Sequence, residues 1–257
     1  MFSAAKDYTL ARIKAAEIRR EPFPHVLIEE IFPPDFYAEM MQRKMPDSCY
    51  TPLVETGRVG GGYSAARLCF MPDRAEAAGQ DSDNAQFWSE FIATYQDNVF
   101  LKAWLALFEP DIMKRVFEEP ERFPIEKGKI EVGGEMFLMR DKQTYGLKPH
   151  MDSALKAISA LFYLPADDSG VMMGTSLYVP DSVDAIVERG SHAKSGRHFV
   201  HVATIPYKPN TVFAFPNVMP SFHGVEPLDQ PVSRDILLYD IKFSGMKPKP
   251  EAQDAAT

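Results

Sequence analysis

Cysteine is nearly absent: Cys49 and Cys69 are the only two in 257 residues. Two thiols build no disulfide framework, and they lack metal-ligand spacing, so we expect two reduced thiols in a cytoplasmic protein. Long apolar runs are missing as well. No stretch approaches the roughly 18 residues that would cross a bilayer. Residues 1–20 alternate charge with apolar residues and contain no signal-peptide core. Basic charge is in deficit, with 28 Lys and Arg against 36 Asp and Glu and a net charge of −8. That balance disfavours a surface for coating nucleic acid. Neither sign of charge forms long blocks. No internal repeat is visible, and no Ser or Cys nucleophile arrangement is evident.

What is present is the material of a packed globular protein, 45% hydrophobic and 25% charged. Residues 1–120 are expected to form a mostly helical support region. Leu10, Ile13 and Ala16 share one helical face. Val26-Leu27-Ile28 reads as a strand, and Pro33-Pro34-Asp35 opens a helix that turns Phe36, Tyr37, Met40 and Met41 to one side. Gly57, Gly60, Gly61 and Gly62 mark a mobile loop, either a plain connection or a lid that carries Arg58 or Tyr63 over a site; residues 181–198 are the alternative lid. Asp83 and Gln86 resemble a capping box before Trp88, Phe91, Ile92, Tyr95 and Val99. That helix continues or restarts through Leu101, Trp104, Leu105 and Phe108.

After about Pro120 the texture changes. Segments 129–139, 156–164, 175–179, 201–207, 211–215 and 234–243 are short and rich in β-branched and aromatic residues. Turn residues such as Gly133-Gly134, Pro209-Asn210 and Pro216-Asn217 punctuate them, which argues for a sandwich or jelly roll. The expected fold is mainly β with flanking helices. Residues 121–245 form the core, 246–257 form a tail, and the whole is one structural domain.

The chemistry starts at Pro149-His150-Met151-Asp152. Residues two apart on a strand point to the same side, so His150 and Asp152 can offer a nitrogen and a carboxylate oxygen to one metal. Seventy-one residues after Asp152 comes His223, in Ser221-Phe222-His223-Gly224-Val225. A jelly roll brings distant strands together, so His223 can supply a third ligand. Two histidines and one carboxylate are the facial triad of non-haem Fe(II) oxygenases. Eleven residues after His223, Arg234 heads the last apolar strand and can form a two-pronged ion pair with a carboxylate. His198 and His201, three apart, face opposite sides of a strand, and His25 and His192 have no partner in the local sequence.

Together, His150-x-Asp152, His223 with Gly224-Val225, and Arg234 resemble the pattern of the Fe(II)/2-oxoglutarate-dependent oxygenases, nearest to their prolyl-hydroxylase-like branch. The resemblance spans roughly residues 129–243 and implies a double-stranded β-helix. Ala160-Leu161-Phe162-Tyr163-Leu164-Pro165 is similar to the strand that follows His-x-Asp in that branch, which implies that Tyr163 contacts the cosubstrate. Gly174-Thr175-Ser176-Leu177-Tyr178 fits the next strand, and residues 23–32 resemble the entry strand before such cores. The upstream cosubstrate position of relatives falls between Arg140 and Tyr145, which makes both candidates. Ile236 departs from the small polar residue many relatives carry there.

The resemblance implies Fe(II) on His150, Asp152 and His223. It also implies 2-oxoglutarate as cosubstrate, its far carboxylate held by Arg234 with Tyr163, and O2 as oxidant. The expected reaction is hydroxylation of an unactivated C–H in a small molecule, amino acid or peptidyl residue, releasing succinate and CO2. Nucleic acid and membrane are not expected as partners. Two other readings stand beside it: a cupin-like metal dioxygenase that does not use 2-oxoglutarate, and a non-catalytic jelly-roll binding module.

Overall fold

The central strands of the larger sheet alternate with period two, yet both of their faces are apolar. On β6 (Lys156–Tyr163), Ile158, Ala160 and Phe162 join one hydrophobic cluster, while Leu161 and Tyr163 join another. The same division runs along β11 (Arg234–Ser244), where Leu237, Tyr239 and Ile241 face one cluster and Ile236 the other. A sheet covered on both sides explains this, because successive side chains point to opposite faces. Helices cover the outer face, and a second sheet closes the inner one.

The computed structural model describes residues 1–71, 82–123, 131–181, 199–229, 231 and 233–245. The expected tail, His192, His198 and nearly all of the alternative lid lie outside the described residues. In chain order the helices are α1 (Phe2–Lys14), α2 (Pro34–Gln42), α3 (Ser82–Tyr95) and α4 (Asn98–Glu118). The remaining strands are β1 (Val26–Ile28), β2 (Tyr50–Pro52), β3 (Arg67–Phe70), β4 (Glu131–Asp141), β5 (Leu147–His150), β7 (Thr175–Pro180), β8 (Phe199–Ile205), β9 (Thr211–Pro216) and β10 (His223–Val225). One sheet has the order β1-β9-β6-β11-β4-β3-β2, and the other β5-β10-β7-β8. All their pairings are antiparallel. From β4 to β11 the chain alternates between the sheets, except that β7 and β8 follow each other as a hydrogen-bonded pair in the smaller one, in the winding of a jelly roll, the double-stranded β-helix.

The helices pack on the larger sheet through an aromatic cluster. Phe32 stacks on Phe162 with ring centres 5.5 Å apart, and Phe91 lies against Tyr95 at 4.4 Å. The helix after Tyr95 restarts rather than continues: the Asp97 side chain caps α4 by accepting from the Phe100 amide at 2.9 Å. Asp83 lies inside the first turn of α3, and Gln86 donates forward to Glu90, so the expected capping box does not form. The N-terminal region is more than a helical support. β1 pairs with β9, and β3 pairs with β4, so this region supplies both edges of the larger sheet. Cys49 and Cys69 are buried free thiols. Among the described residues no helix is long and apolar enough to cross a membrane.

Candidate metal centre and its cavity

β5 and β10 lie side by side in the smaller sheet with His150 directly opposite His223. Their ring centres are 4.4 Å apart. Close approach of the strands requires Gly224, where a Cβ would stand 2.4 Å from the Leu147 carbonyl oxygen. Asp152 reaches the pair by a different route from the one expected. β5 ends at His150, so Asp152 sits in the turn that follows rather than two residues along a strand. That turn is tied down from two directions. Asn217 Nδ2 donates to the Ser153 carbonyl at 2.8 Å, and Arg115 of α4 donates to the carbonyls of Ala154 and Lys156 at 2.7 and 2.8 Å.

The three side chains converge. His150 Nε2 is 4.0 Å and His223 Nε2 3.9 Å from the Asp152 carboxylate, and one ligand atom from each residue lies within 4.8 Å of the others. Each ring nitrogen on the other side meets a backbone carbonyl: His150 Nδ1 at Lys148 O, 2.9 Å, and His223 Nδ1 at Ser221 O, 3.1 Å. A carbonyl only accepts, so both Nδ1 atoms carry hydrogen and both Nε2 lone pairs face Asp152. Burial, with the facing His223, pushes His150 down to about 3, and burial also lowers His223. Both rings are therefore neutral at pH 7, the protonation state a metal ligand needs.

Asp152 stays ionised. Burial opposes its charge, but Lys156, then the two histidines, outweigh that and hold it below the usual carboxylate range. Lys156 Nζ donates to Asp152 Oδ1 at 3.1 Å and lies 3.0 Å from Asp240 Oδ1, while Ser159 Oγ donates to Asp152 Oδ2 at 2.6 Å. Burial raises Asp240, with Lys156 acting against the rise.

The triad forms one wall of a cavity of about 1070 Å³ between the two sheets. Leu53, Val59, Phe137, Met139, Leu161 and Leu238 make its apolar side. Arg58, Arg67 and Lys242 add positive charge. Arg58 and Lys242 both approach Glu135, and the Arg58 guanidinium lies 4.3 Å from the centre of the Phe137 ring. The glycine-rich loop supplies Arg58, Gly60, Gly62 and Tyr63, so it borders the cavity.

The other expected site residues are distributed differently. Tyr145 is in the cavity wall, where its hydroxyl accepts from Arg67 Nη1 at 2.5 Å. Arg234 has 0% exposure, does not line the cavity, and donates through Nη1 to Asp141 Oδ2 at 2.6 Å. Tyr163 is also fully buried and donates to Thr175 Oγ1 at 2.8 Å. Arg140 does not line the cavity; it is bonded to Asp235 and Asp47 and stacked over Tyr50. His25 is buried against Phe213 with Nδ1 at the Phe23 carbonyl, and His201 Nε2 meets Thr204 Oγ1, so neither joins the triad.

Sequence reasoning missed Lys156, Ser159, Asp240, Asn217, Arg67 and Asp141. Asp240 did leave a signal, a carboxylate in the middle of the apolar run of β11. Arg67 left none, because its partners Tyr145 and Asp141 are more than 70 residues away.

No family model and no curated protein matches the chain. Solved structures of loosely similar shape include a prolyl-4-hydroxylase from Pseudomonas putida (13% identity, TM-score 0.47, covering 91% of this chain and 98% of that one). Others are a 2OG-Fe(II) oxygenase family oxidoreductase from Burkholderia pseudomallei (12%, 0.43, 91% and 89%) and a Trichoplax adhaerens prolyl hydroxylase in complex with a hypoxia inducible factor peptide fragment (10%, 0.43, 94% and 90%). Likeness this loose establishes neither family nor reaction, which rest on the residues of the site.

Proposed function

We propose that the chain is a non-haem Fe(II) oxygenase that uses 2-oxoglutarate and O2 to hydroxylate an unactivated C–H of a small-molecule or peptidyl substrate. The observation that carries this is the convergence of two neutral imidazole Nε2 atoms and one ionised carboxylate on the wall of a cavity. The donor set suits a divalent ion of intermediate softness, and three protein ligands leave positions for cosubstrate and oxygen. Bound there, the metal supplies the oxidising power that no side chain possesses.

The chain's own residues supply position and dryness. Lys148 O and Ser221 O hold the imidazoles in one tautomer and orientation. Lys156 and Ser159 hold both oxygens of Asp152. The apolar side of the cavity keeps water from a reactive centre. A volume of about 1070 Å³ accommodates a cosubstrate together with part of a substrate.

One observation favours a second reading, triad chemistry without 2-oxoglutarate: Nη1 of the fully buried Arg234 is already engaged by Asp141. One experiment separates the two. Purified protein with Fe(II) and O2 is given 2-oxoglutarate, and succinate is measured. Succinate that requires Fe(II) supports the cosubstrate reading. Oxygen consumption with a substrate panel but no succinate would replace it with the second.

A further inference from the structure

The deep wall of the cavity holds more positive charge than its own side chains balance. Arg67, on β3, lines the cavity and is 7% exposed. Its Nε lies 3.1 Å from Asp141 Oδ1, and its Nη1 donates to the hydroxyls of Tyr145 at 2.5 Å and Tyr63 at 3.3 Å. Arg234 is completely buried, with its guanidinium 5.6 and 5.7 Å from the ring centres of Tyr163 and Tyr207. It takes the other oxygen of the same carboxylate, Asp141 Oδ2.

Two guanidiniums therefore share one carboxylate. The surrounding phenols do not help, since burial raises Tyr145, Tyr163 and Tyr207 and keeps them neutral. The next carboxylate, Asp235, is engaged by Arg140 and Lys44. A net positive charge this deeply buried is costly unless an anion joins it. Only Arg67 of the two arginines reaches the cavity. The same cavity is lined by His150, Asp152 and His223.

We propose that Arg67, flanked by Tyr145 and Tyr63, binds the far carboxylate of the dicarboxylate cosubstrate, and that Arg234 is a positioning residue that holds Asp141 against Arg67. This rests on the 2-oxoglutarate reading above, and it moves the anchor from the residue singled out in the sequence to one on a strand that precedes the core.

The test is a binding measurement. Iron-loaded protein is titrated without O2, first with 2-oxoglutarate and then with 2-oxobutanoate, which keeps the 2-oxo acid and lacks the far carboxylate. Metal-to-ligand absorbance reports binding. The parent should prefer 2-oxoglutarate by about 30-fold or more, as expected for one partner of a buried charge pair. Arg67→Gln should lose that preference, bind 2-oxobutanoate as the parent does, and keep the parent's Fe(II) affinity. Arg67→Lys should fall between, since an ammonium cannot copy the guanidinium fork. It also serves as the test where Arg67→Gln does not fold. If a folded Arg67 variant retains the full preference, the inference is overturned. Loss of preference in Arg234→Lys but not in Arg67→Lys would return the anchor to Arg234. A parent without any preference would overturn the 2-oxoglutarate reading, and this inference with it, before any variant is made.

Discussion

At the scale of the residue, two backbone carbonyls decide what the histidines can do. Lys148 O and Ser221 O fix hydrogen on Nδ1, and Asp152 lies where both Nε2 lone pairs point. A three-ligand centre has no spare, so His150→Ala, Asp152→Ala and His223→Ala should each abolish turnover and weaken Fe(II) binding. Calorimetric Fe(II) titration beside a thermal melt checks this, and near-parent succinate production by any folded variant would remove that residue from the centre. The hydroxyl of Ser159 touches the ligand rather than the metal. Ser159→Ala should keep the fold and lower Fe(II) affinity by roughly 10- to 100-fold, as loss of an outer-shell partner does. Competition with a chelator of known strength would show the change, and an unaltered affinity would assign Asp152's placement to Lys156 and the turn alone. The triad was legible in the sequence because His-x-Asp and a distant histidine are types with few other uses in combination. The supports were not, because Ser159, Asn217 and Arg67 are ordinary residue types whose role exists only once far-apart strands meet.

At the scale of the element, the ligands ride on two of the shortest strands, β5 with four residues and β10 with three. Pieces that short carry too little alternation to be seen, and unlike the equally short β1, a run of three apolar residues, they carry polar residues and glycine that hide them. β2 and β3 escaped for the same reason. The tight contacts between strands make their own demand. A Cβ on Gly174 would stand 1.5 Å from the Ile205 carbonyl oxygen across the β7–β8 pair, whereas Gly60 has open space within 4 Å. Gly174→Ala should cost about 1–3 kcal/mol or more through forced backbone shifts. Gly60→Ala should stay within about 0.5 kcal/mol of the parent. Urea denaturation midpoints of the two variants compare them directly. The glycine-rich loop around Gly60 borders the cavity, and a lid at that position should exchange its amide hydrogens more slowly once Fe(II), 2-oxoglutarate and substrate are bound. Equal exchange in the free and bound states would make it a fixed wall.

At the scale of the whole molecule, the jelly roll provides a rigid funnel. Helices stiffen the outer face of one sheet, the two histidines lie on the other with Asp152 in the turn beside them, and the cavity opens between the sheets. The division into apolar core strands and helical support was visible as a change of texture near Pro120. What composition could not reveal is that the N-terminal region closes the sheet and brings Arg67 to the cavity, since pairing partners of three- and four-residue strands are set by tertiary contact. Everything functional depends on the convergence of His150, Asp152 and His223 on one ion. Anaerobic Fe(II) titration of the parent and of His223→Ala, with circular dichroism confirming that both are folded, tests this most directly. The expected result is one Fe(II) per chain in the parent and loss of that binding in the variant. No stoichiometric binding by the parent, or equal binding by both proteins, would contradict it.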